Sequence, residues 1–419
     1  MNIFALIKNL FIRKFFLNFL NYYSFTVINV IIGFYSISYL SKKISPEDYG
    51  MLGIFGSILF LLPSIISFSA NGLQSVEIVN KRKKDYILFR NVLFSFLLCS
   101  SIFFFVVAIL SCFYFKDYVF IIISAFFMGF AMVCTSIHNT ELVQNTKASQ
   151  FGLLSSGSIS VSFFLTVLFL SLFELDWKFR ILALIIAEYI FVFIRFYLIS
   201  EIWKSFKFSL DFKFFKVFLE YGTPLIVAAF SGFIMHNADR YFNLNFFGIR
   251  EVGLYTAAAG VASVISSINS NMIKVLYPYV FELLNNRIGK IKILKIIICY
   301  TIFILSIAGI FSSIIYFFGY LFLGEKYLIA LNIIYILCFA QAFFGIYSIS
   351  SLLIDYFKLT KVKTILIVSC CTILILLNFI IIPEVGLLGS AISILISFII
   401  LAGSTFIYSL SLFNKYKIT

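Results

Sequence analysis

The chain has 419 residues, of which 62% are hydrophobic and only 12% are charged, and its mean hydropathy is +1.07. Soluble domains carry about half apolar and about a quarter charged residues, so this composition excludes an ordinary soluble protein and indicates one solvated by lipid. The formal charge of +14 does not indicate nucleic-acid binding, because an excess of Lys and Arg is expected in the cytoplasmic loops of a membrane protein.

Apolar windows long enough to cross a bilayer recur along the whole chain and predict twelve transmembrane helices. The first six cover roughly residues 15–40, 51–72, 89–114, 119–140, 151–173 and 179–200. The second six cover roughly residues 221–247, 255–281, 294–319, 328–352, 362–382 and 386–411. The N-terminal stretch has no small-residue cleavage site, so we expect an uncleaved first helix. The predicted fold class is an all-α polytopic membrane protein.

The distribution of basic residues predicts the orientation of these helices. With a cytoplasmic N-terminus, the inner segments hold 22 Lys and Arg residues, the outer segments hold 7, and three lie inside spans. Because cytoplasmic loops carry the excess of positive charge, both termini are expected in the cytoplasm. The outer loops are also short, which argues against a membrane polysaccharide polymerase, since such an enzyme needs a larger outer loop to hold its substrate.

A short polar corner occurs twice, as ISPEDYGMLGIF at Ile44–Phe55 and as GIREVGLYTAAA at Gly248–Ala259. Aligning Gly50 with Gly253 gives an offset of 203 residues, which also aligns span one with span seven. The sequence thus predicts two six-helix halves in the same topology, residues 1–203 and 204–419, with substrate at their interface. Each glycine is interpreted as allowing a tight turn, and the neighbouring acids as favouring the next helix start. The alternative is two unrelated helix starts.

The positions of the cysteines and the absence of common catalytic motifs argue against an enzyme. All seven cysteines lie within apolar runs without a C-x-x-C pair, so they are expected to pack as small hydrophobic residues. The chain has no nucleotide-binding loop, no G-x-S-x-G and no H-E-x-x-H motif. We therefore predict no catalytic residues, no metal and no cofactor, and transport driven by an ion gradient or by consumption of the product outside.

Three stretches resemble a known family, the polysaccharide-transporter branch of the MOP flippase superfamily. LSKKISPEDYG (Leu40–Gly50) resembles its first outer loop, and ADRYFNLNFFGIREVGLYTAAAGVAS (Ala238–Ser263) resembles its seventh and eighth helices. LTKVKT (Leu359–Thr364), followed by LLNFIIIPEVGLLGSAIS (Leu376–Ser393), is similar to its eleventh helix and the loop to the twelfth. The order and spacing of these stretches cover nearly the whole chain.

The resemblance implies a MATE-like fold and a Wzx-type flippase in the bacterial cytoplasmic (inner) membrane. Such a protein moves undecaprenyl-pyrophosphate-linked oligosaccharide, the repeat unit of O-antigen or capsule, to the outer leaflet by rocking of its two halves. The implied partners are this lipid-linked oligosaccharide, membrane lipids, and the polymerase and chain-length proteins of the same pathway, but not nucleic acid. The alternatives are a MOP-type exporter of lipid II or small molecules and, in a different class, a polysaccharide polymerase.

Ionisable side chains inside the spans are candidate functional residues, because placing them in a membrane is costly. Span seven carries His236, Asp239 and Arg240, whose spacing places them on one side of the helix. Arg240 is predicted to bind the phosphates, since its planar fork suits them. Asp239 either anchors Arg240 or takes up a coupling ion. The alternative is a structural ion pair that holds helices together.

Three lysines near the ends of spans are further candidates for substrate binding. Lys274 in span eight is predicted either to meet the pyrophosphate or to reach the inner membrane interface with its charge. Lys42 and Lys43 follow span one and either contact sugar or phosphate on release or are solvated loop residues.

The remaining candidates lie in spans one and six. Glu188 and Arg195 are seven residues apart on one face, where they serve as coupling charges or join helices. Asn21 and Asn29 are predicted to bind sugar hydroxyls, with hydrogen bonding between helices as the alternative. The segment Trp203–Gly222 alternates basic and aromatic residues, which predicts an amphipathic helix on the inner membrane surface between the two halves.

Overall fold

The computed structural model describes residues 24–80, 83–145, 147–173, 176–198, 206–209, 211–285 and 290–415. These residues form thirteen α-helices and two short 3-10 turns, Lys116–Tyr118 and Glu325–Ala330, and no strand occurs among them. The first seven helices are α1 Ser24–Lys43, α2 Pro46–Ser67, α3 Ala70–Asn80, α4 Lys83–Tyr114, α5 Val119–Gln144, α6 Ala148–Leu172 and α7 Trp177–Leu198. The others are α8 Phe212–Phe247, α9 Ile249–Asn285, α10 Lys290–Phe322, α11 Leu331–Tyr356, α12 Thr360–Val385 and α13 Leu387–Lys415.

Every helix except α3 contributes a segment that is long and apolar enough to cross a membrane, which makes twelve such segments among the described residues. The predicted number of spans and the all-α fold class are therefore confirmed. The second span ends earlier than expected, at Ser67, because Phe68 (φ 47°) and Ser69 (φ 51°) adopt left-handed backbone conformations that end α2 before α3 begins.

The described chain divides into two compact units. Unit 1 comprises Met1–Gly33, described from Ser24 onward, and Phe55–Phe230; unit 2 comprises Phe34–Ile54 and Ser231–Thr419. The boundaries fall inside α1, α2 and α8, so each of these helices contributes residues to both units. The predicted division into residues 1–203 and 204–419 follows the sequence repeat rather than this packing, and it stays a prediction.

The core of unit 1 is rich in aromatic rings, and α8 supplies part of it. Phe218 is 1% exposed and stacks on Phe96, with ring centroids 4.8 Å apart. The Phe89 ring centroid lies 5.7 Å from that of Phe218. The interpretation of Trp203–Gly222 as a separate surface helix is therefore wrong from Phe212 onward. Helix α8 runs unbroken to Phe247, because its aromatic face has a protein core to bury rather than a membrane surface. The part of that segment before residue 206 lies outside the described residues.

The two polar corners pack against each other inside unit 2. At the start of α9, a Cβ atom added to Gly253 would lie 2.7 Å from the carbonyl carbon of Pro46 and 2.9 Å from the backbone nitrogen of Gly50. Both glycines lie within helices, and neither has a positive φ. The interpretation that they allow tight turns is therefore wrong: they allow two helix backbones to touch. The acids do occupy first helical turns, Glu47 and Asp48 in α2 and Glu251 in α9, as predicted.

Further contacts tie the first corner to the rest of unit 2. The Tyr327 side chain is fully buried, and its hydroxyl donates to the carbonyl oxygens of Ser45 at 2.8 Å and Ile44 at 3.2 Å. Glu47 and Arg250, one from each corner, form an exposed ion pair at 3.9 Å. The exposed ion pair contributes little, so the buried tyrosine and the glycine contact hold this region together.

The orientation of the helices can be tested by reporter fusions. The distribution of basic residues predicts that a reporter active only in the cytoplasm is active at the inner positions. A reporter active only outside the cytoplasm should be active at the outer positions. The inner set is Lys83, Leu210, Ile288 and Thr360, and the outer set is Glu47, Leu175, Arg250 and Glu384. A paired cytoplasmic and periplasmic reporter at each site measures this directly. Exchange of the two sets would refute the predicted topology and the parallel alignment of the halves.

Candidate functional site

A buried polar network joins α5, α6 and α7 within unit 1. The carboxylate of Glu188 accepts hydrogen bonds from the hydroxyls of Thr135 at 2.5 Å and Ser158 at 2.7 Å. Arg195 lies two turns further along the same face of α7 and is only 3% exposed. Its Nη1 atom is 3.9 Å from the carboxylate and 3.3 Å from the Thr135 hydroxyl. The structure therefore brings the predicted pair Glu188 and Arg195 together. The network joins three helices and holds the Glu188 carboxylate in place, and removal of one charge alone would leave the other uncompensated.

One side of this network opens into a cavity of about 490 Å³ in unit 1, which we call the α5 cavity. Its walls come from Ser75 of α3, one face of α5, and Glu188 of α7. The contributing α5 residues are Met128, Met132, Thr135, Ser136, Asn139, Thr140, Val143 and Gln144. The volume lies within the range of small-molecule sites, and most of the lining side chains bear a hydroxyl, an amide or a carboxylate. A polar cavity in a membrane-spanning helix bundle has the character of a transport site.

Sequence reasoning missed this stripe on α5 because none of its α5 members carries a charge. The signal was nevertheless present, since Met132, Thr135, Ser136, Asn139 and Thr140 recur at spacings of three and four residues. Such a run of hydroxyl and amide groups on one face of an apolar helix marks a surface that does not face lipid.

The candidate cluster of span seven lies in unit 2, near the end of α8. The Arg240 side chain donates from Nη1 to the amide oxygen of Asn237 at 2.5 Å, while its Nε atom is buried and has no hydrogen-bond partner among the described residues. Asp239 is 2% exposed and accepts a hydrogen bond from the Tyr255 hydroxyl of α9. No ion pair joins Asp239 and Arg240 in the part of the chain that the structure describes.

This geometry separates the roles of the three predicted residues in span seven. Asp239 links α8 to α9 through Tyr255, and it also accepts a hydrogen bond from the Arg240 backbone N–H at 2.9 Å. The His236 ring packs edge-on against Phe344, with ring centroids 5.0 Å apart, and also against Phe398 at 5.9 Å. Of the three, only Arg240 has a charged group that is both partly accessible and without an ionic partner among the described residues.

The predicted lysines occupy different settings. Lys42 donates from Nζ to the carbonyl oxygen of Leu321 at 2.7 Å, which places its charge at the C-terminal end of α10, where a cation is favourable. Lys43 and Lys274 are exposed. Lys42 thus has a structural contact, whereas the other two side chains are open to solvent, lipid or ligand.

The asparagines of span one are only partly covered by the structure. Asn29 is partly buried in unit 1, with its side-chain nitrogen 3.5 Å from the Ser155 hydroxyl of α6. This weak contact agrees with hydrogen bonding between helices. Asn21 lies outside the described residues.

The solved structures that share this fold over nearly the whole chain include two transport proteins. The inward-facing conformation of a multidrug resistance MATE family transporter of the MOP superfamily matches with a TM-score of 0.69 at 14% identity, over 96% of this chain and 99% of that one. Lipid II flippase MurJ in its inward closed conformation matches with a TM-score of 0.64 at 18% identity, over 93% and 87% respectively. With its apolar helices and polar cavity, the chain is a multi-pass membrane protein with the fold of these transporters.

The family follows from sequence comparison. The profile of the family described as "Polysaccharide biosynthesis protein" matches residues 16–284, well over half of the chain. The chain belongs to this family. It is also 28% identical over 325 residues to a Haemophilus influenzae protein named "Uncharacterized membrane protein", a match that covers 71% of this chain and 74% of that protein.

Proposed function

We propose that the protein is a flippase that moves undecaprenyl-pyrophosphate-linked oligosaccharide across the bacterial cytoplasmic membrane by alternating access. Membership of a polysaccharide biosynthesis family supports a role in making a surface polymer such as O-antigen or capsule. The fold shared with a MATE transporter and with a lipid II flippase supports movement of a substrate rather than formation of a bond.

The observation that carries the proposal is the Arg240 guanidinium of α8, which has no carboxylate within 4.0 Å among the described residues. Arg240 lies seven residues, or about 10 Å along the axis, from the end of a membrane-spanning helix, where an unpaired charge is costly. Among the described residues it has an amide rather than a carboxylate as its partner. A bound anion would supply the Arg240 guanidinium with the acceptor oxygens that it lacks. A diphosphate is such an anion, and a guanidinium binds it through two parallel hydrogen bonds.

Depletion of the protein in its host tests this function. We expect complete lipid-linked oligosaccharide to accumulate on the cytoplasmic side, because nothing else in the proposal carries it across. An impermeant oxidant of sugars, such as periodate, should then modify the saccharide in inverted membrane vesicles and spare it in intact spheroplasts.

Depletion of the pathway's polymerase is the matched control, since single units should then be modified in spheroplasts. The same pattern after depletion of this protein would mean that translocation does not need it, and would support a polymerase instead. Normal polymer after depletion, with loss of drug efflux, would support the small-molecule exporter.

A further inference from the structure

The lining of the α5 cavity contains hydrogen-bonding groups but no unbalanced charge. Among the described residues, no Lys, Arg or His side chain lines it, and Glu188, the carboxylate in this described lining, is held by Thr135, Ser158 and Arg195. A diphosphate would find no cation in this described lining, and an organic cation would meet a carboxylate that Arg195 already balances. The cavity therefore suits a ligand that is polar and uncharged.

Several of its polar atoms have spare hydrogen-bonding capacity. The amide oxygen of Asn139 is buried and has no hydrogen-bond partner among the described residues. The Thr140 hydroxyl donates to the Ser136 carbonyl at 2.9 Å, and the Ser136 hydroxyl accepts from Asn71 at 3.1 Å, so each oxygen can still accept from a ligand. Gln144 adds an exposed amide at the end of the stripe. A ligand with many hydroxyls satisfies such a set, and an apolar ligand does not.

The same cavity also has an apolar side. Met128 and Met132 occupy the end of the stripe away from Gln144, and methionine adapts its shape to an irregular partner. Sugars have C–H faces as well as hydroxyl edges, so a wall with methionine at one end and hydroxyls and amides at the other can contact both.

We propose that the α5 cavity binds the uncharged saccharide of the transported substrate, with the Asn139 and Gln144 amides as its main hydrogen-bonding groups. This inference rests on the proposed function and adds to it the part of the substrate that contacts unit 1. It also predicts that neutral sugars bind better than uronic acids, because Glu188 is the one charged side chain that the described part of the wall contains.

The test uses the full-length protein purified in detergent and two soluble probes. One is the free oligosaccharide released by mild acid from the lipid-linked oligosaccharide of the host, and the other is inorganic pyrophosphate. Saturation-transfer NMR, which detects weak binding, measures the first, and the shift of the thermal unfolding midpoint measures the second. The wild-type protein should respond to both.

Asn139→Leu and, separately, Gln144→Leu should weaken saccharide binding about tenfold, the loss expected for a hydrogen bond to a ligand, and should leave the pyrophosphate response unchanged. The exposed Gln144 change does not disturb packing, so it stays informative if Asn139→Leu lowers the protein level. The matched control is Asn378→Leu on α12, which removes a fully buried amide in unit 2 and should leave both responses intact.

The possible failures are distinct. If the wild-type protein shows no saturation transfer with the saccharide, or if both variants bind it as well as the wild type does, the saccharide site is refuted even when pyrophosphate binds and depletion blocks translocation. If depletion leaves translocation normal, the proposed function itself fails, whatever the cavity binds.

Discussion

Replacing Gly253 by valine is expected to abolish accumulation of the folded protein. The added side chain would start 2.7 Å from the Pro46 carbonyl carbon and 2.9 Å from the Gly50 nitrogen, which are backbone atoms that cannot rotate away. The clash is relieved only if α2 and α9 separate. The resulting loss of folding free energy should exceed about 1–3 kcal/mol, the loss typical of an overpacked core. Gly50→Val should behave alike, because its Cβ would meet the carbonyl oxygen of Ile249 and lie 2.9 Å from that residue's Cγ1 atom.

The measurement is the amount of monodisperse protein in membranes solubilised with mild detergent, together with its unfolding midpoint. Gly56→Val is the matched control, because Gly56 lies on the same helix α2 with no atom within 4 Å of an added Cβ. It should accumulate as the wild type does. Normal levels and melting for both Gly50→Val and Gly253→Val would show that the two helix starts do not touch in the membrane.

This pair of glycines also shows how far sequence reasoning reaches. The twelve spans and the helix-start acids follow from hydropathy and local chemistry, which are properties of short segments. The contact between Gly50 and Gly253 does not, because a repeat shows that two segments correspond and not that they touch. A glycine is compatible with a turn or with a close helix crossing, and only the tertiary structure distinguishes the two.

The charged candidates show a related limit. Helical spacing correctly brought Glu188 and Arg195 together, since both lie on one helix and spacing determines their separation. Spacing placed His236, Asp239 and Arg240 together as well, but the partners of His236 and Asp239 come from other helices, whereas Arg240 bonds Asn237 of its own helix. Phe344 and Phe398 pack on His236, and Tyr255 bonds Asp239. A single sequence does not indicate which distant helix supplies a partner, so the separate environments of these residues were not predictable.

Replacing Arg240 by alanine is expected to reduce export of lipid-linked saccharide by roughly tenfold to a hundredfold at unchanged protein level, the loss expected for hydrogen bonds to a charged group. Arg240→Lys should restore only part of the activity, because an ammonium group is a point charge that lacks the two-pronged geometry of the guanidinium. Export is measured in depleted cells that carry each variant, as the fraction of saccharide accessible to periodate in spheroplasts, normalised to the amount of variant in the membrane.

A neutral double variant distinguishes substrate binding from a structural ion pair. If Asp239 and Arg240 were such a pair, Asp239→Asn combined with Arg240→Gln would be tolerated better than either single change, since no buried charge would be left alone. The described residues show no ion pair between them, and Asp239 is bonded to Tyr255 instead, so removal of one charge does not compensate for loss of the other. We therefore expect the double variant to remain defective in export, with normal protein abundance.

The ion pair Glu188 and Arg195 of unit 1 provides the internal comparison. For this pair, we expect the neutral double variant to be less defective than the single variant. Arg195→Gln alone leaves the Glu188 carboxylate, which is 12% exposed, without its cation and should lower the amount of folded protein, by less than the about 3–5 kcal/mol lost when a fully buried pair is broken. Glu188→Gln combined with Arg195→Gln should recover much of that abundance, because no buried charge remains. Suppose instead that the double variant of Asp239 and Arg240 exported better than either single variant. Arg240 would then be a structural residue, and the diphosphate would have to bind elsewhere.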